Sequence, residues 1–274
     1  MLEGHLAQPS EVLLTDRPAV IFVHGYPSDE VWAESIGSDL PSLADRVAEW
    51  MQWTALAIRF RGCGRSTGDF SLQGWVDDVR SAVDFLEAEV QPDTVWLCGF
   101  GSGGSVSIVA ASDDERITGV SMAGSPSDFN DWASNPNRLL AHAKKVGAIR
   151  SPNFPEDPER WKAQLRTVNA NHAMEKLRGR PLLILHGTDD DVVPSFDALA
   201  LRDAYTDGTS DEWVELRQVK GGGHLLRHDP RATAVLLGWL TRSRLKLRGL
   251  SQPADGNGFS KATGPDSPDP GHST

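Results

Sequence analysis

Residues 94–106 read Thr94-Val95-Trp96-Leu97-Cys98-Gly99-Phe100-Gly101-Ser102-Gly103-Gly104-Ser105-Val106. The stretch opens behind Asp93 with a short apolar run rich in β-formers, which predicts a buried strand. Glycines follow without a gap. Val106-Ser107-Ile108-Val109-Ala110-Ala111 then reads as the start of a buried helix. A strand that turns into a helix within so few residues needs glycine. The bend forces backbone angles that a Cβ resists, and it brings backbones close together.

Working outward, the same strand-and-helix alternation recurs. Pro18-Ala19-Val20-Ile21-Phe22-Val23 is apolar on both faces, as in the interior of a parallel sheet, and runs into His24-Gly25-Tyr26-Pro27. A helix is predicted over Leu40–Met51 and a strand over Thr54–Phe60, ending in Arg61-Gly62-Cys63-Gly64-Arg65-Ser66. Residues 73–90 place Trp75, Val79, Val83, Phe85 and Leu86 at helical spacing, with Asp77, Asp78 and Arg80 between them. Residues 1–17 give weak strand signals at best. Downstream, Ile117–Gly124 reads as a strand, Pro181–Gly187 as another buried one, and Glu212–Val219 as an alternating strand near a sheet edge. Arg231–Arg244 is the closing helix. Strands alternating with helices five or more times predict an α/β class protein with a doubly wound, mostly parallel sheet.

Two stretches break the pattern. Residues 125–178 mix Phe129, Trp132, Phe154 and Trp161 with prolines and helical stretches at 138–146 and 159–168, and carry no strand signal. That is longer than a connection requires. After Gly249 the chain is mostly Ser, Pro, Gly and Asp, which predicts a disordered tail over 249–274.

The chain has 274 residues, enough for one large domain with a buried core, and a formal net charge of −11. That charge argues against nucleic acid or an anionic membrane as partner. No apolar run is long enough to span a bilayer. The N-terminus, Met1-Leu2-Glu3-Gly4-His5, has neither a basic nor an apolar leader region, so a cytoplasmic location is expected. The two cysteines, Cys63 and Cys98, read as reduced thiols, with no metal site. The expected partner is a small-molecule substrate or ligand, with no cofactor.

The glycine turn resembles the nucleophile elbow of the α/β-hydrolase superfamily, written Gly-x-Ser-x-Gly. Two registers are open. With Gly99 and Gly103 as the small flanking residues, the nucleophile-equivalent position is Gly101, which has no hydroxyl. With Ser102 as nucleophile, Phe100 and Gly104 flank it, and a phenylalanine stands where the turn demands a small side chain. The first register fits better, and Ser102 stays as the register-shifted candidate. Other segments resemble the same superfamily. His24-Gly25-Tyr26-Pro27 is similar to its oxyanion loop, and residues 61–66 to its Arg-Gly-x-Gly-x-Ser turn, where Arg61 would tie loops together. His186-Gly187-Thr188-Asp189-Asp190-Asp191-Val192-Val193-Pro194 looks like its acid loop, with Asp190 in register and Asp189 and Asp191 beside it. Gly221-Gly222-Gly223-His224 matches the place of its histidine.

The resemblance implies an α/β-hydrolase domain over 1–248 with a small helical cap at about 125–178. It also implies an oxyanion hole built from the amides of Tyr26 and Ser102, a general base His224 and an orienting acid Asp190. His24 and His228 are expected to be structural. Three functions follow: hydrolysis of a small ester or amide, through Ser102 or through water activated by His224; a lyase using His224 as general base; or a non-catalytic pseudohydrolase that binds a small molecule or protein. The N-myc downstream-regulated family is similar in carrying Gly at this position, but this sequence departs from it by keeping the acid and the histidine.

Overall fold

The computed structural model describes residues 1–11, 13–28, 31–208 and 211–249. The expected tail beyond Gly249 lies outside the described residues. Seven strands form one sheet: β1 (Glu3–Ala7), β2 (Pro18–Val23), β3 (Thr54–Arg59), β4 (Thr94–Phe100), β5 (Ile117–Ala123), β6 (Leu182–Gly187) and β7 (Val214–Val219). Their spatial order is β1-β3-β2-β4-β5-β6-β7, and all pairings are parallel except that of β1 with β3. The helices are α1 (Leu40–Met51), α2 (Leu72–Glu89), α3 (Ser102–Ser112), α4 (Asn130–Ser134), α5 (Pro136–Lys145), α6 (Pro158–Thr167), α7 (Ala170–Ala173), α8 (Ser195–Thr206) and α9 (Pro230–Leu247).

The sheet is covered on both faces. Leu40, Leu43 and Val47 of α1 and Leu236, Trp239 and Leu240 of α9 pack on one face, over Val20, Phe22 and Trp96. Trp75, Val79 and Val83 of α2, Ile108 of α3 and Leu201 of α8 pack on the other, over Ile21, Val23 and Leu97. Alternate residues of β2 thus feed opposite cores, which is why all six are buried and the strand reads as one apolar run.

The topology fixes where a site can form. The chain leaves β2 through α1 to reach β3 on one side, and leaves β4 through α3 to reach β5 on the other. Neighbouring strands whose connections diverge leave a crevice at their carboxyl ends, the switch point at which open α/β sheets bind ligands. The loops after β2 and β4, with Gly25 and Gly101, lie there.

Three elements differ from expectation. β1 forms at Glu3–Ala7, although its residues are mostly exposed or half-buried and its sequence, Glu-Gly-His-Leu-Ala, does not alternate apolar with polar. Helix α8 was not anticipated: Phe196 and Leu199 on it are exposed while Asp197 is buried, so its polarity pattern runs against the helical period. Helix α3 begins at Ser102 rather than near Val106, because its first turn is glycine and serine with no apolar signal. The segment between β5 and β6 is helical, α4 to α7. Its two longer helices start at prolines 136 and 158, one or two residues before the expected bounds, since proline is favoured in a first helical turn. Both cysteines are free and buried; burial pushes the Cys63 thiol up to about 12 and raises that of Cys98 as well. Among the described residues no helix is long and apolar enough to cross a membrane.

Candidate active site

The turn between β4 and α3 is decided by what its glycines can hold. Gly101 has φ 55 and ψ −133, a conformation that side chains resist. A Cβ on Gly99 would lie 2.5 Å from the Gly104 nitrogen, and one on Gly103 2.1 Å from the carbonyl oxygen of His24. Both positions are closed to any side chain by backbone. A Cβ on Gly101 would meet only ordinary contacts: Gly25 Cα at 3.5 Å, His224 Nε2 at 3.6 Å and His224 Cε1 at 3.9 Å. The apex of the turn therefore aims at the His224 imidazole, and the residue at that apex is glycine. Ser102 sits one residue on, at the head of α3; it is 5% exposed, and its Oγ has no hydrogen-bond partner among the described residues.

The histidine and acid loops come together because their backbones touch. The Asp189 amide donates to the Gly222 carbonyl at 2.9 Å, and a Cβ on Gly187 would lie 2.1 Å from the same oxygen. The glycine run before His224 and the Gly187 beside the acid loop are thus two halves of one close approach. His224 Nδ1 lies 3.1 Å from Asp190 Oδ2. A carboxylate accepts only, so Nδ1 carries the hydrogen and Nε2 keeps its lone pair on the Gly101 side. The Asp190 side chain is fully buried, and its other oxygen accepts the amides of Val192 and Val193 at 3.0 and 2.9 Å. The neighbouring acids do not compete. Asp189 is exposed and accepts the Thr188 hydroxyl, and Asp191 is exposed.

On the facing side, His24 is fully buried. Its Nε2 accepts the Phe60 amide at 3.1 Å, so Nδ1–H donates to the Gly25 carbonyl at 2.7 Å. Desolvation holds this imidazole neutral and lowers its pKa from 6.5 to about 4. It braces the loop that carries the Tyr26 amide. Neither that amide nor the Ser102 amide has a partner among the described residues. The Tyr26 ring packs at 4.8 Å from Phe70 and 4.9 Å from Trp132, with its hydroxyl 3.4 Å from His142 Nδ1. The segment between β5 and β6 thus packs against this loop through Trp132 and His142.

A sequence model of the Alpha/beta hydrolase family matches residues 20–236, most of the chain. The chain belongs to this family. Among relatives, the chain is 26% identical over 152 residues to the uncharacterized protein YfhR of Salmonella typhimurium, covering 51% of this chain and 45% of that protein. It thus spans less than half the length of that relative. Similar solved structures include Est1E from Butyrivibrio proteoclasticus, with TM-score 0.64, 16% identity and 89% and 94% of the two chains covered. The alpha/beta hydrolase GrgF from Penicillium sp. sh18 has TM-score 0.64, 20% identity and coverage of 88% and 94%. These likenesses are of fold.

Within this family fold, other sequence-flagged residues have structural partners. Arg61 holds the nearly buried Asp78 through its amide at 2.8 Å and its guanidinium at 2.9 and 2.7 Å, tying the loop after β3 to α2. His228 closes a short 3-10 turn, Leu226–His228, near Asp39. Among the described residues, no group of His, Cys, Asp or Glu is gathered to hold a metal. Sequence reading missed His142 and Trp132 against Tyr26, and it assigned no part to His186, whose only signal was its place at the head of the acid loop.

Proposed function

We propose that this protein carries out hydrolase-type chemistry on a small ester or amide without a serine nucleophile, with His224 and Asp190 activating water. The observation that carries the reading is the direction of the Gly101 apex, 3.6 Å from His224 Nε2 at its absent Cβ. Glycine leaves room on that line for a water where the family's serine hydroxyl would stand. His224 Nε2 takes a proton from the water as its oxygen attacks the substrate carbonyl. The Tyr26 and Ser102 amides hold the oxyanion. Collapse of the tetrahedral species breaks the bond to the alcohol or amine, which leaves with the proton from His224. Asp190 keeps His224 in the tautomer this needs. Ser102 contributes its amide and not its hydroxyl, since Oγ is buried at the head of α3.

A site lacking the nucleophile is expected to be slow. Removing one triad member elsewhere leaves roughly 10³–10⁴-fold catalysis over water. A second reading, a pseudohydrolase that binds a small molecule, is favoured by the same missing hydroxyl. Release of nitrophenol from p-nitrophenyl acetate by the wild type and by His224→Ala separates them. The hydrolytic reading predicts turnover that disappears in the variant. Equal rates in both, at the level of buffer, support the binding reading.

A further inference from the structure

We infer that His186 is a positioning residue, a second imidazole that locks the Asp190 loop so that Asp190 holds His224 in one tautomer. The inference rests on the pairing role proposed above for Asp190 and His224, and it concerns a residue that does not touch the reacting atoms.

His186 is the penultimate residue of β6, paired in register with Gln218, and is 1% exposed. Its Nε2 lies 2.9 Å from the Val193 carbonyl oxygen. A carbonyl only accepts, so Nε2 carries the hydrogen and the ring tautomer is fixed. That leaves Nδ1 as an acceptor, buried and without a partner among the described residues. A buried polar atom left unsatisfied is unfavourable, so the donor end must be held by something that outweighs it. The donor end faces the acid loop. Besides Val193, Nε2 lies 3.6 Å from Asp190 Oδ2, the same oxygen that receives His224 Nδ1. This is too long for a hydrogen bond, but it sets the protonated edge of the ring beside a carboxylate whose side chain is fully buried.

The loop is therefore tied twice, once within itself and once to β6. Asp190 Oδ1 accepts the amides of Val192 and Val193, and His186 Nε2–H donates to the carbonyl of Val193. Rotation of the Asp190 carboxylate away from His224 would have to break the first pair, and drift of residues 190–193 away from β6 would have to break the second. In metal sites, losing an outer partner that orients a histidine costs roughly 10–100-fold in metal affinity or activity. A shift of that size is expected here in the tautomer ratio of His224.

The test uses two amide substitutions that differ in where they place the donor. In His186→Gln the side-chain amide nitrogen falls near the former Nε2 and still reaches Val193. In His186→Asn it is too short to do so. Full-length protein labelled with ¹⁵N-histidine is read by NMR. In the wild type, His186 is expected as the Nε2–H tautomer and His224 as the Nδ1–H tautomer. His186→Gln is expected to keep the His224 tautomer, and His186→Asn to lower the ratio of Nδ1–H to Nε2–H by roughly tenfold or more. An Asn variant with an unchanged His224 signal overturns the inference. So does a wild-type His186 found as the Nδ1–H tautomer, a result that stands even if neither variant folds. Because the resting protein is measured, a failure of turnover refutes the hydrolytic reading and leaves this inference intact.

Discussion

Replacing Gly101 by serine is expected to turn the site into a conventional serine hydrolase at a modest cost in stability. A Cβ on Gly101 meets nothing closer than 3.5 Å, so no neighbour has to move. The cost is in the backbone. A non-glycine residue held at φ 55 and ψ −133 costs about 1–3 kcal/mol, offset by roughly 0.4–1 kcal/mol from the smaller entropy of the unfolded chain. The net loss is about 1–2 kcal/mol, a fall of several degrees in Tm for a chain of this size. In return, an Oγ one bond beyond a Cβ 3.6 Å from His224 Nε2 comes within the reach of roughly 2.6–3.2 Å that proton transfer needs. The His224–Asp190 pair and two amides without a partner among the described residues already stand around it. A fluorophosphonate probe, read by intact mass, is expected to label Gly101→Ser and not the wild type, and labelling is expected to vanish in Gly101→Ser with His224→Ala. A folded Gly101→Ser protein that stays unlabelled would refute the geometry argued for this turn.

Other consequences follow from the same contacts. Gly103→Ala drives its Cβ to 2.1 Å from the His24 carbonyl oxygen and is expected to lose about 1–3 kcal/mol or more in urea melts; wild-type stability would mean the turn is built differently. Asp190→Asn removes the group that fixes the His224 tautomer and is expected to bring nitrophenyl ester turnover down to buffer level, since the equivalent change in a serine protease costs about 10⁴. His24 makes stability depend on pH. Its folded pKa is depressed from 6.5 to about 4, so the unfolded chain takes the proton first as pH falls. The contribution of roughly 3 kcal/mol is fully present above pH 6.5 and is lost between about 6.5 and 4. Urea midpoints in that window are expected to fall less steeply in a His24→Gln protein than in the wild type, and equal slopes would remove His24 as the cause.

What was legible in the sequence follows from where each residue's information lies. β2, β4 and β6 are buried on both faces, so each was a mainly apolar run that admitted one reading. The glycine turn was legible because sterics act between near neighbours: Gly99 touches Gly104, five residues on. β1 was not legible. It is an edge strand whose identity comes from pairing with Arg59, Ala57 and Ala55, 48 to 56 residues away, rather than from its own pattern. α8 was hidden by exposed Phe196 and Leu199 and by Asp197, which is buried because it accepts the amide and hydroxyl of Ser127. In the site, Asp190 and His224 stood in recognisable segments, while the contact of Tyr26 with His142 spans 116 residues and leaves no local trace. His186 had a visible position but no visible role, because its partner Val193 is engaged through a backbone carbonyl, which every residue has.

The central claim is that water, and not Ser102, attacks the substrate. Intact-mass measurement of wild-type protein quenched during turnover of p-nitrophenyl acetate tests it most directly. Attack by water leaves the unmodified mass at every time point, with nitrophenol released linearly and without a burst. An acetyl adduct on Ser102 that forms within the first turnover and is lost in Ser102→Ala would contradict it.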